Sequence, residues 1–364
     1  MISLRSVEDA SVQDKRVLLR VDFNVPMQDG RITDDTRIKA ALPTIKLLLD
    51  KGAKKITLLT HLGRPDGKEN DKDRVAPLFA HLVPHLGDEA SLVEMHENVR
   101  FDPREEAGDE GFAKELAALG DIYVNDAFSN SHRAHTSMVA LPKLLPSYAG
   151  LQLLSEVAHI SEALTPPKNS LAIVGGAKFE TKEPLLEKLL EHYGTVLLGG
   201  ALANDMLKVR GTPIGRSMVS ATPVPDVMAA DERIVIPTDV MVECENNQRR
   251  TAYTADVRSD ERIMDIGPNT AEVWASMIHA SDFVLWNGPT GVFEKGFTEG
   301  TQKLATAIVE AGCRAVLGGG DTAAALASFQ FDTGRIFVST GGGAMLEFLA
   351  NGGTLPALEV LKGN

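Results

Sequence analysis

The chain has 364 residues, 43% of them hydrophobic and 24% charged, and a formal net charge of −13 at pH 7. This length favours two domains over one, no apolar run approaches the roughly 20 residues of a membrane helix, and the acidic balance speaks against a duplex nucleic-acid binder, which needs a basic face. Two cysteines, Cys244 and Cys313, without a CxxC spacing argue against a disulfide framework or a zinc site, and the start "MISLRSVEDASVQDKR" lacks the apolar stretch of a signal peptide, so the cytoplasm is the expected compartment.

In chain order, the strand candidates are "RVLLRVDF", "KITLLTHL", "DIYVNDA", "LAIVGG", "TVLLGG", "FVLWNG", "AVLGGG" and "IFVSTG". Most are apolar throughout instead of alternating, as parallel strands covered on both faces are. Between them run helical patterns, "TRIKAALPTIKLLLDKG", "FAKELAALG", "EPLLEKLLEHYG", "EGTQKLATAIVEAG" and "AMLEFLANGG", several ending at glycine. The alternation predicts an α/β protein of two Rossmann-like lobes, each a mainly parallel sheet flanked by helices. A helix over "AGLQLLSEVAHISEAL" joins them, and Pro166 and Pro167 mark a boundary. The expected division is 1–150, a linker 151–167, and 168–345.

In the first half, Arg20, Asp22 and Asn24 stand at or just past a strand end, and Arg37 opens a helix where its charge opposes the helix dipole. His61 and Arg64, then Arg100, then His132, Arg133 and His135 follow further strands. Each alone reads as a surface charge; together they converge basic groups on the carboxyl ends of one sheet, where ligands of such sheets bind. Arginine forks suit carboxylate and phosphate oxygens, so the expected ligand is a small polyanion. With 2 Trp and 4 Tyr in the chain, stacking platforms for single-stranded nucleic acid are scarce.

The second half has four glycine-rich strand ends: "GGAK", "LGGAL" with Gly199 and Gly200, "GGGDT" with Gly318, Gly319, Gly320, Asp321 and Thr322, and "TGGGAM" with Gly342 and Gly343. None is a P-loop and none a clean dinucleotide fingerprint. Freed backbone N–H groups at such turns hold anions. Lys178 and Lys182, four apart, either flank a helix start or share a helical face, and beside those amides they would charge-match the phosphates of one nucleotide. Asp321 taken alone reads as an N-cap; beside three glycines and two lysines it suits the Mg²⁺ that accompanies a nucleotide.

Ten motifs, "RVDFNVP", "DDTRIKAALPTI", "HLGRP", "ENVRF", "YVNDAF…HRAH", "VGGAKFETK", "DIGPNT", "WNGPTGVFE", "LGGGDT" and "VSTGGGAMLEFL", resemble the phosphoglycerate kinase family in order along nearly the whole chain. The resemblance implies a 3-phosphoglycerate lobe and a Mg-ATP or Mg-ADP lobe that close on a hinge, with the chain end, 346–364, returning to the first lobe. It implies Asp22, Asn24, Arg37, His61, Arg64, Arg133 and Lys168 as phosphoglycerate ligands, and Lys178, Lys182, Asn287 and Glu294 as nucleotide ligands, the last on the ribose. Asp321 is then the metal ligand, and Arg37, Lys178, Gly342 and Gly343 surround the transferred group. The substrates implied are 3-phosphoglycerate, 1,3-bisphosphoglycerate, ATP and ADP, and the implied state is a monomer. Four departures stand out: Lys168 in place of an arginine, Ala201 in place of a third glycine, "SNS" at 129–131, and two shortened segments. A dinucleotide-dependent oxidoreductase and a non-catalytic metabolite binder are the competing readings.

Overall fold

The computed structural model describes residues 2–363 except 246 and 327. They form two compact units, one running to Ala158 and resuming at Gly353, the other His159–Gly352. The helix Leu151–Glu162 carries the chain across the division. No helix among the described residues is long and apolar enough to cross a membrane.

In the first unit, strands β1 (Arg16–Arg20), β2 (Lys55–Leu59), β3 (Val93–Met95), β4 (Ile122–Asn125) and β5 (Ser147–Ala149) form one sheet in the order β3-β2-β1-β4-β5, every pair parallel. β1 and β2 are buried at every position after their first residue, so the continuous apolar runs do mark strands covered on both faces. Val17, Leu19, Ile56, Leu58 and Val124 pack with Ile38, Ile45 and Leu48 of the helix Thr36–Asp50. The chain end returns to this unit from Gly353, later than the expected 346. The helix Gly342–Ala350 stays with the second unit because it packs there against the helix Phe179–His192. Beyond it, the Arg5 N–H donates to the Leu361 carbonyl at 3.1 Å and the Ala357 N–H to the Ser131 carbonyl at 3.1 Å.

In the second unit, β6 (Ser170–Val174), β7 (Thr195–Leu198), β8 (Ile234–Val235), β9 (Phe283–Asn287), β10 (Arg314–Gly318) and β11 (Ile336–Ser339) take the order β8-β7-β6-β9-β10-β11, again parallel throughout. Ile173, Leu197, Val284, Trp286 and Leu317 face Trp274, Ile278, Leu304 and Ile308 from the helices Pro268–His279 and Glu299–Ala311. A separate antiparallel sheet, Arg249–Tyr253 beside Asp239–Glu243 beside Arg262–Ile266, has its own small core around Val240, Val242 and Ala252. Both parallel sheets share one winding: the first strand lies inside, the next two step to one side and the rest to the other. Ligand sites of such sheets form at the carboxyl edge where the order reverses.

Candidate active site

In the first unit the reversal lies between β1 and β4, and the cationic residues gather there. Arg20, level with Leu59 and Asn125 across the sheet, is buried to 1% exposure. Its Nε donates to Ser137 Oγ at 3.0 Å and its Nη2 lies 3.3 Å from His61 Nδ1. Arg37, second residue of its helix, opposes the helix dipole as its position foretells, and Asp22 compensates with an ion pair at 2.7 Å. Arg37 Nη1 also donates to the Asn24 carbonyl at 3.2 Å, while Asn24 Oδ1 accepts from the Gly63 N–H at 2.9 Å. Ser129 donates a hydroxyl bond to Asp22 Oδ2. The "SNS" departure thus supplies a side chain that helps aim the carboxylate holding Arg37.

The electrostatics confirm convergence. Burial, and then the guanidinium groups of Arg20, Arg100, Arg133 and Arg37, hold His61 well below the usual imidazole range. Burial and the Arg100 and Arg133 charges push His132 and His135 down to about 4. At neutral pH these three imidazoles are therefore uncharged, and the positive field comes from arginines that cannot shed their protons. Arg100, absent from the ligand set that the resemblance implies, belongs to this cluster: it is buried, and Nη1 donates to the Gly63 carbonyl at 3.3 Å. The sequence signal for it was a basic side chain in "ENVRF", between two strand candidates of the same half. Arg64 and Arg133 are exposed at these strand ends.

Lys168 lies outside the first unit, which carries this group. It is exposed, belongs to the second unit, and precedes the amino end of β6, the edge of that sheet opposite the glycine turns. The turn "PPKNS" before the strand, not a strand end, sets its position.

In the second unit Leu198, Val174, Asn287, Gly318 and Ser339 stand level across the carboxyl edge. Each is followed by one of the glycine turns or by "NGPTG". The reversal lies between β6 and β9, where Lys182 donates to Asn287 Oδ1. Lys182 is 8% exposed and Asn287 2%, and the Asn287 Nδ2 has no hydrogen-bond partner among the described residues. Burial pushes the Lys182 ammonium down to about 8 against the opposing pull of Asp321. Lys178 flanks the start of the helix Phe179–His192 in a left-handed conformation, φ 68°, which costs a side-chain-bearing residue about 1–2 kcal/mol. It is exposed at the glycine turn instead of lying along the helix.

Asp321 does not cap its helix. Gly319, at φ 116°, is the N-cap and makes no side-chain bond, because the glycine turn brings the chain in one residue pair earlier than a capping acid would need. Asp321 instead lines a cleft of about 560 Å³ with Gly176, Gly200, Ala201, Glu294 and Met264. Thr322 ties the turns together: its hydroxyl accepts from the Gly288 N–H at 2.8 Å and donates to the Gly318 carbonyl at 2.9 Å. Gly199 packs against Thr290, and Gly342 against Gly319 and Gly320, where a Cβ would come within 2.5 Å of the Gly319 Cα. Gly343 follows in the first turn of the helix Gly342–Ala350. Met218, Met264, Val292 and Phe293 give the cleft an apolar wall that sequence reading did not find, since part of it comes from the antiparallel sheet.

The family model for phosphoglycerate kinase matches residues 7–95 and 86–352. A phosphoglycerate kinase of Thermomicrobium roseum is 41% identical over 392 residues, spanning 98% of this chain and 99% of its own, and one of Maricaulis maris is 41% identical over 399 residues, spanning 100% and 98%. Both alignments are longer than the 364-residue chain, so these relatives carry internal residues that it lacks. The solved phosphoglycerate kinase from Coxiella burnetii superposes with a TM-score of 0.84 at 37% identity, covering 98% of each chain. On this sequence likeness and this shared fold, the chain belongs to the phosphoglycerate kinase family.

Proposed function

We propose that the first cluster binds 3-phosphoglycerate or 1,3-bisphosphoglycerate and the second binds ADP or ATP, the chain moving a phosphoryl group reversibly between them in glycolysis and gluconeogenesis. The observation that carries this reading is the pairing of chemistries. One carboxyl edge gathers Arg20, Arg37, Arg100 and Arg133 around an uncharged His61. The other carries glycine turns over a buried Lys182–Asn287 pair. The first suits a small carboxylate and phosphate ligand, the second the phosphate chain of a nucleotide whose base rests on the apolar cleft wall.

Asp22 and Asn24 fix Arg37, and with His61, Arg64, Arg100 and Arg133 they hold the glycerate substrate. Lys178 and Lys182, the amides of Gly319 and Gly320, and Asn287 hold the nucleotide phosphates, with Glu294 on the ribose. Gly199 and Gly200, whose N–H groups bond the Val174 and Thr290 carbonyls, and Gly318 at the strand end serve by letting the nucleotide approach the backbone closely. In the direction of acyl phosphate formation the attacking group is the substrate carboxylate, ionised at pH 7, so no general base is required. Arg37 and Lys178 neutralise the moving group, and the Gly342 and Gly343 amides orient its oxygens. Asp321 fits a Mg²⁺ ligand: it is an exposed carboxylate in the cleft, freed from capping and facing the Lys182 charge. The ion supplies charge neutralisation on the phosphates. Transfer in water-free contact entails that the two bound substrates meet during turnover. A cytoplasmic monomer acting on these small molecules is the setting that fits the acidic chain.

The test is formation of acyl phosphate from ATP and 3-phosphoglycerate, trapped with hydroxylamine and measured beside ADP release. Hydroxamate in proportion to ADP is the expected result. ADP release that ignores 3-phosphoglycerate overturns the reading, as does turnover of a reduced nicotinamide.

A further inference from the structure

We propose that Asp35, His81 and His85 form a surface site for a transition-metal dication of the zinc class, separate from both clusters above. Among the described residues they are the one group of three His, Cys, Asp or Glu side chains whose ligand atoms all lie within 4.8 Å of one another. Asp35 precedes the helix Thr36–Asp50 and makes no capping bond there. His81 lies on the helix Ala76–Leu82 and His85 closes the following turn, Val83–His85, in the stretch "HLVPH". The spacing of four puts both imidazoles on one side, their ring centres 6.0 Å apart.

The donor geometry suits such an ion. With metal–nitrogen and metal–oxygen bonds of about 2.0–2.2 Å, tetrahedral donors sit roughly 3.4 Å from one another. His81 Nε2 and Asp35 Oδ2 are already 3.1 Å apart, so an ion here takes the place of the proton they share. His85 is exposed and closes the remaining gap by side-chain rotation. Lys39 holds the other carboxylate oxygen of Asp35 at 3.0 Å, which fixes the carboxylate orientation while leaving Oδ2 for the metal. Two imidazoles and one carboxylate, with positions left for water, select zinc, cobalt, nickel or copper over magnesium, which prefers an all-oxygen shell. The cysteine count argued against a zinc site; a cysteine count bears on thiolate ligands and does not reach a site built of imidazoles and a carboxylate. The ion would tie the start of the helix that bears Arg37 to the 81–85 turn and stabilise the first unit by mass action.

The experiment is a titration of the chelator-treated full chain with Zn²⁺ by calorimetry, repeated with Co²⁺ by absorption spectroscopy. One ion per chain, and a cobalt spectrum without a thiolate charge-transfer band, are expected. H81A and H85A should each weaken binding by about tenfold or more, while C244S leaves it unchanged. Both histidines are at least partly exposed, so the folded state survives either change. Binding that is unaltered in H81A and H85A, a cobalt thiolate band, or no binding at millimolar metal overturns the proposal. None of these outcomes bears on phosphoryl transfer, which the hydroxamate assay reads separately.

Discussion

The two parallel sheets have the same winding and furnish its reversal point with opposite chemistry. At the reversal of the first, side chains do the work: Arg20 is sunk among Ser137 and His61, and Asp22 with Ser129 aims Arg37. At the reversal of the second, glycines pack turn against turn, Gly342 on Gly319 and Gly200 on Gly176, above one buried lysine. The strand order therefore supplies only a place. Residue choice at the strand ends decides whether that place presents fixed guanidinium charge or closely packed glycine turns.

The largest effects that separate the two regions should come from one cation in each. Lys178→Ala is expected to lower turnover by about 10²–10³, with 3-phosphoglycerate affinity by calorimetry unchanged. Arg37→Ala should instead weaken 3-phosphoglycerate binding while ADP binding persists, and it leaves Asp22 relying on Ser129 and the Asn24 N–H. If either substitution weakens both ligands alike, the division of labour between the sheets is wrong.

Close backbone packing is the next distinction. Gly342→Ala puts a methyl group 2.5 Å from the Gly319 Cα and 2.8 Å from the Gly320 nitrogen, backbone that cannot swing aside. A cost of about 1–3 kcal/mol follows, which lowers the second unit's thermal midpoint by roughly 2–4 °C per kcal/mol, together with weaker ADP binding. Gly194→Ala, whose methyl group meets nothing within 4 Å, serves as the control and should be silent in both measurements.

How far the sequence could be read follows from the same contrast. All eight strand candidates are strands, most plainly where burial runs through every residue, as in Ser170–Val174 and Phe283–Asn287; in Ile336–Ser339, half-buried at its middle, the apolar run alone carried the reading. The edge strands Val93–Met95, Ser147–Ala149 and Ile234–Val235 escaped, being two or three residues long with a polar or half-exposed member. So did the antiparallel sheet around Asp239–Glu243, whose alternation is mixed with charges, and with it part of the apolar wall of the cleft. Convergence of the arginines was legible because strand ends share an edge. The Ser129 bond to Asp22 was not, since a serine in a loop carries no directional signal until its partner's position is known. The capping role for Asp321 failed for a related reason: propensity ranks acids above glycine at an N-cap, but the φ of 116° required at residue 319 favours glycine there.

The finest separation between the regions is in pH. Burial leaves the Lys182 ammonium near 8, with Asp321 the charged group raising it and Asn287 its uncharged hydrogen-bond partner. A nucleotide phosphate beside it stabilises the protonated form, so the complex holds its proton to higher pH than the free site does. Below pH 8 the free site is already charged and ADP affinity is flat. Above 8, binding must take up a proton and affinity falls, by at most about tenfold per pH unit. The arginine cluster has no such step, because guanidinium groups stay protonated and His61 is uncharged throughout this range. Calorimetry in buffers of different ionisation enthalpy should therefore show proton uptake for ADP and none for 3-phosphoglycerate between pH 8 and 9.5. Lys182→Arg should remove the uptake by supplying a charge that does not titrate. Proton uptake that survives this substitution would mean another group titrates, and the buried lysine would lose its place as the charge under the glycine turns.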